Sequence, residues 1–301
     1  MTTKAKIIVP TPFTPAMLVS TNAVETRPAW SAGTTYAKDA FVDFGTHIYQ
    51  SLVNNNTGNN PATSPMFWVL IGPDNVHAMF DDQVSTQTVS PAPLNVTVAT
   101  GNIGAVFLGN LVGSRVTLTV RDGNGGPIVY QQTQSLSGEE ASDWYQYFFF
   151  DPLTQRTQAA FTGIPPFASS HVTVSLQGSG LVSVGMMQFG RLRDLGTIEY
   201  GAQGGFIDYS RKLTDEFGAT TFVRGAYSKR LNCTMALDRL QFNRINRLVA
   251  EVRSTPIVFI GSDATPEYEE ALTIFGFIRS FQPTIAYPSF SLCSMEIEGL
   301  I

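Results

Sequence analysis

Three histidines, His47, His77 and His171, are the whole imidazole complement of the 301-residue chain. None has a second histidine, a cysteine or a paired carboxylate at metal-ligand spacing, so the sequence predicts no zinc site and no metal. Carboxylates offer a second chemistry. Glycoside hydrolysis needs two of them at a fixed separation, and two runs present candidates: Glu139, Glu140 and Asp143 beside Trp144, and Glu267, Glu269 and Glu270 beside Tyr268. Neither run marks one carboxyl for burial and another for solvent, the asymmetry that divides an acid from a base, so solvated turns are expected. A Ser-His-Asp triad gains no support, because no Gly-x-Ser-x-Gly elbow is present. The glycine-rich Gly201-Ala202-Gln203-Gly204-Gly205 lacks the Lys-Ser/Thr of a phosphate loop and opens no helical pattern, and a turn is expected there. Cys233 and Cys293 lie far apart in apolar or alternating surroundings, which predicts buried thiols. The expectation is a chain with no catalytic residue and no cofactor.

Composition and period define the elements that would hold a binding site. Only 14% of residues are charged, while Gly, Thr, Ser, Asn and Phe are plentiful, which favours strands joined by turns over solvated helices. The net charge of −5 comes without any basic run to neutralise phosphates, so nucleic acid and an anionic membrane surface are not expected partners. No stretch reaches membrane-spanning length, and the early apolar stretch is soon broken by Pro10 and Pro12, unlike a signal-peptide core. Synthesis and assembly in the cytoplasm are expected.

The length suits two or three domains, and the pattern divides it further. Residues 1–27 read as an arm or linker with the short run Ile7-Ile8-Val9. Residues 28–74 read as a miniature β module with aromatics spaced through Gly, Asn and Pro turns, including Phe41-Val42-Asp43-Phe44 and Ile48-Tyr49. Over 75–190, Val116–Val120 and Val172–Leu176 alternate at period two, and the glycines of Arg121–Pro127 suit a hairpin loop before Ile128. A jelly-roll-like antiparallel sandwich is predicted. Over 191–301 one helical stripe appears, Phe242, Ile245, Leu248, Val249 and Val252, with Asp238 and Gln241 at capping-box spacing and Pro256 beyond its end. Strands surround it at Ile257–Ile260, Ile274–Phe281 and Ser289–Ile297, predicting one helix on an antiparallel sheet. The fold class expected is mainly β and multidomain.

Trp30, Tyr36, Phe41-Val42, Gly45, Ile48-Tyr49-Gln50-Ser51, Asn60-Pro61 and Trp68 occur in an order that resembles the chitin-binding type of small carbohydrate-binding module. The resemblance implies pyranose rings stacked on aromatics, with Trp30, Tyr36, Tyr49, Asn54 and Trp68 as candidate contacts. Leu52-Val53-Asn54-Asn55-Asn56 stand where members of that family usually present exposed aromatics. Trp30, Tyr36 and Trp68 are also the residues that so small a domain would bury as its core.

Asp143–Phe149, Phe206–Lys212 and Ser294–Leu300 resemble stretches of bacteriophage tail-tip or baseplate proteins. The last domain resembles those from which distal-tail and tail-tube rings are built. That resemblance implies a virion protein at the tail tip, forming a homo-oligomeric ring beside tube, hub and fibre proteins, with host surface glycan as a further partner. Tyr209, Arg211, Arg224 and Arg230 are candidate subunit contacts. The competing expectation is a polysaccharide-active enzyme or its accessory protein.

Overall fold

In the computed structural model, residues 4–136, 155–261, 270–285 and 287–300 are described. They form two compact units: one comprises Met1–Thr11, Ile103–Val106 and Gln188–Ile301, the other Pro12–Asn102 and Phe107–Met187. The chain is mainly β, as its composition predicts.

The first unit is built on a closed antiparallel barrel of six strands. The second half of Leu181–Ile198 pairs with Lys4–Pro10, which pairs with Ile257–Ile260, then Thr273–Thr284, Phe290–Gly299 and Tyr227–Asp238. The last strand returns to the first through Thr197 opposite Ala236 and Ile198 opposite Met235, closing the ring. Gly196 permits that closure: a Cβ there would lie 2.7 Å from the Ala236 carbonyl oxygen. Alternate residues point inward, among them Ile7, Leu231, Met235, Phe259, Met295 and Ile297, and fill the interior as expected of a narrow barrel.

The predicted helix forms over Phe242–Glu251, and Ile245 and Val249, followed by Val252, pack against the barrel interior. Its expected capping box does not form. Gln241 already has helical dihedrals, and the Asp238 carboxylate instead accepts from the Leu240 amide. The segment expected as an arm, residues 1–27, is revised as well. Lys4–Pro10 is a central barrel strand, and Leu18–Thr21 joins a sheet of the second unit. The glycine-rich stretch expected as a turn is one only at its start, since Gln203–Asp208 is a strand.

In the second unit a sheet in the order Ile128–Ser135, Arg115–Asp122, Ser170–Gln177, Leu94–Ala99, Leu18–Thr21 turns Val96, Val116, Leu118, Val172 and Val174 inward. Thr97 and Thr173 share a hydroxyl hydrogen bond of 2.9 Å on the half-buried face. The other layer combines Gln158–Thr162, Phe107–Val112, the first half of Leu181–Ile198 and Thr88–Pro91. The predicted hairpin forms, with Gly123 at φ +84° and Gly125 at φ +73° in its loop.

Cys233 and Cys293 are free thiols on adjacent strands of the barrel interior, Cys233 opposite Met295 and Cys293 opposite Met235. Burial pushes Cys233 from the ordinary 9.0 up to about 11 and Cys293 up to about 12. Both folded values are raised, so the stability they contribute is complete below pH 9.0 and is lost as the pH climbs toward 11 and 12. Denaturant midpoints should therefore fall above pH 9, and less steeply in a Cys233→Ala/Cys293→Ala variant. A thiol reagent should find two reactive groups only after unfolding; rapid labelling of the native chain would contradict the buried placement.

Candidate functional site

The aromatic segment folds into the three-stranded sheet Phe41–Phe44, His47–Ser51 and Trp68–Pro73, with Thr35–Tyr36 paired to Asn56–Thr57 beside it. Register sorts its side chains. Val42, Tyr49 and Leu70 align across the sheet on one face; Phe41, Gln50 and Val69 align on the other.

Tyr36 and Trp68 lie at the centre of the small core, 8% and 2% exposed, ring to ring at 5.3 Å. The Trp68 indole donates to the Asn59 carbonyl at 2.9 Å, and the Tyr36 hydroxyl accepts from the Ser31 amide at 2.7 Å. A ring enclosed in this way offers no face to a sugar, so these two candidate contacts are core residues. Trp30 and Tyr49 are half-buried against the same core, and Trp30 meets Phe44 edge-on at 5.4 Å. Asn54 accepts from the Lys38 amide and so fixes the loop that follows the second strand.

The opposite face carries what the aromatic count alone did not reveal. Phe41 is 41% exposed, with the Arg27 guanidinium 5.7 Å from its ring centre. Gln50, directly across the strand pair from Phe41, donates to the Asp39 carboxylate at 3.0 Å. An open aromatic ring beside an amide and a carboxylate can stack an apolar sugar face and hold its hydroxyls. The sequence signal was parity: Phe41 and Val42 are neighbours, so if one builds the core the other faces out.

Two residues beyond Phe41 on the same strand, Asp43 shares its surroundings with Glu25, Asp74 and His77. His77 and Asp74 pair at 2.7 Å, while one Asp43 carboxylate oxygen is buried without a partner. Burial raises the Asp43 carboxyl above its ordinary value, Asp74 and Glu25 push it further up, and His77 pulls the other way. Among the described residues no cluster of three or more His, Cys, Asp or Glu side chains is placed to hold a metal. His47 is exposed, and His171 is half-buried with its Nδ1 2.8 Å from the Ser169 carbonyl oxygen. The carboxylate candidates Glu139, Glu140, Asp143, Glu267 and Glu269 lie outside the described residues.

The candidate subunit contacts concentrate on one feature of the barrel unit. Gln203–Asp208 pairs with the start of Tyr227–Asp238, and Arg211–Thr214 pairs with Thr220–Val223, making a two-stranded arm whose tip is Asp215–Ala219. No residue from 203 to 227 is buried. Tyr209, Arg211 and Arg224 are exposed on this arm, whereas Arg230 sits in the barrel wall, ion-paired to Glu296 at 2.6 Å. Phe206, Leu213, Phe217 and Phe222 were not among the candidates, yet they are its most exposed apolar side chains apart from Tyr227, Phe217 at 95% and Phe222 at 75%.

No family model matches the chain, and no curated protein matches it. Solved structures that match part of the chain include a chitosan-binding module and lectin domains. A mutant chitosan-binding module 1 from the chitosanase/glucanase of Paenibacillus sp. IK-5 is 13% identical, with TM-score 0.26 over 38% of this chain and 83% of its own. The lectin domain of Lectinolysin complexed with Lewis B antigen is 16% identical, with TM-score 0.26 over 38% of this chain and 82% of its own. A histidine mutant of the lectin domain, complexed with Lewis b, is 17% identical, with TM-score 0.27 over 38% and 82%.

Two substitutions separate the roles in the aromatic segment. Trp68→Ala should cost about 3–5 kcal/mol and unfold the segment, read as lost near-ultraviolet dichroism. Asp43→Asn removes a desolvated carboxylate without changing shape, so the thermal midpoint should rise at pH 7 and the gain should vanish at acid pH, where Asp43 is already protonated. A lower midpoint at pH 7 would show that ionised Asp43 has a partner that supports it.

Proposed function

We propose that this chain is a non-catalytic structural protein of a bacteriophage tail tip, made in the host cytoplasm, whose barrel unit self-assembles and whose aromatic segment meets glycan on the host surface. The observation that carries this reading is the arm of residues 203–227, which displays large, mostly exposed apolar side chains. A two-stranded ribbon is only marginally stable alone in water, and exposed apolar surface of this extent marks a contact with another molecule. The barrel beneath it is filled with side chains, so its part is mechanical support. Two of the stretches that resemble tail-tip proteins fall on these features: Phe206–Lys212 on the arm and Ser294–Leu300 largely on the barrel strand Phe290–Gly299.

For the glycan, the Phe41–Gln50–Asp39 face takes the place of the rings enclosed in the core. Phe41→Ala should weaken binding to envelope polysaccharide about tenfold, the equivalent of one aromatic stacking contact, while leaving the melting temperature nearly unchanged. Equal binding by both proteins would remove this face from the reading. The virion assignment is tested by immunogold electron microscopy of phage particles with antibody against the chain. Gold at the tail end is expected; unlabelled particles together with reducing-sugar release by the free protein would overturn it in favour of an enzyme.

A further inference from the structure

Apart from Tyr200, the large exposed apolar side chains among the described residues of the barrel unit cluster at two places. The first is the arm, which springs from the Tyr227 end of Tyr227–Asp238. The second is the other end of the same strand, where Leu240 is 89% exposed and Ile285 and Tyr287 are exposed beside it. The Arg239 amide donates to the Ser289 carbonyl, which brings these two loops together. Twelve residues of strand separate the two places by roughly 35 Å, so they are distinct patches.

Charge distinguishes the two ends as well. At the arm tip, Asp215 is occupied by the Phe217 and Ala219 amides, which leaves Glu216 as an exposed acid. Beside Leu240 lies a cleft of about 470 Å³ lined by Lys4, Arg193 and Arg244, with Asp194 and Asp238 as its acids. Lys4 already pairs with Asp194 at 4.0 Å, and Asp238 accepts from Leu240, so the balance left for an incoming group is basic. Arg244 is held in place by the Asp194 carbonyl and Gln241.

We propose that the chain associates head to tail, the arm of one copy lying on the Leu240–Ile285–Tyr287 end of the next, with Glu216 reaching toward Arg193 and Arg244. This inference rests on the self-assembly part of the function proposed above and assigns the two surfaces that meet. Phe206, Leu213, Phe217 and Phe222 are 55–95% exposed, and cover by a second copy would remove them from water. A contact between two different surfaces leaves each copy with one free arm and one free end, so it propagates into a ring if the rotation closes and a filament if it does not.

The test uses the full chain and two surface variants, Phe217→Asp/Phe222→Asp on the arm and Leu240→Asp/Tyr287→Asp at the far end, in sedimentation velocity. Wild type should sediment above the monomer, and each variant alone should stay monomeric. A 1:1 mixture should give a species of twice the monomer mass, since one intact arm still meets one intact end and no further copy can add. Glu216→Arg alone should weaken association about tenfold. A mixture that stays monomeric would show a symmetric contact, and a far-end variant that assembles like wild type would show that the arm docks elsewhere; either overturns the head-to-tail assignment while self-assembly stands. Wild type that is monomeric at every concentration would overturn self-assembly itself.

Discussion

Each backbone N–H and C=O buried with a sheet must find a partner, and in the barrel unit this requirement is met by a strand from the opposite end of the chain. Lys4–Pro10 lies between Arg191–Thr197 on one side and Val258–Ile260 on the other. Without it those two strands would become open edges, and an open apolar edge is a template for pairing with another chain. The packing follows from this placement. Ala5 and Ile7 reach the same interior as Phe259 and Leu231, and the barrel can narrow until Gly196 touches the Ala236 carbonyl. The helix then has a closed apolar surface to lie on, with Ile245 and Val249 as its contacts.

In the aromatic segment the governing constraint is scarcity. A sheet of three short strands buries little surface, and large rings are the economical way to make a core of it. Tyr36, Trp68 and Val42 meet that need, with Trp30 and Tyr49 at the margin. A ring cannot be both enclosed and open to a sugar, so the proposed glycan contact is sought on the other parity of the sheet, where Phe41 is 41% exposed beside Arg27. The cost of this small scaffold is visible at Asp43, whose buried oxygen lacks a partner and whose carboxyl is raised first by burial and then by neighbouring acids.

What the sequence made legible was local. Period-two alternation located Val116–Val120 and Val172–Leu176 inside real strands, the Ile257–Ile260 run matched its strand, and the helical stripe matched its helix. The Ile7-Ile8-Val9 run was seen, but its partners lie about 185 and 250 residues away, and no spacing rule reaches that far. The capping box failed because its residue types were right and its backbone was not: a turn through Arg239 and Leu240 had already brought Gln241 into helical dihedrals. Among the candidate sugar contacts, the sequence identified the aromatic segment but could not say which rings it would enclose.

The arm escaped notice for a related reason. Alternation reveals a strand only when one face is buried, and here neither face is. What remains readable is a contradiction between types and surroundings: Phe206, Phe217 and Phe222 stand among Gly204, Gly205, Gly218 and Gly225 in a chain with few charges to keep them soluble. Aromatics are enriched where surfaces meet and are costly where they face water, so their retention on a ribbon without a core of its own argues for a partner surface. A monomer that needed this ribbon only to join two strands would be better served by a two-residue turn at Asp208. On the proposed assembly, the length of the arm and its rings have the same explanation, a contact with another copy.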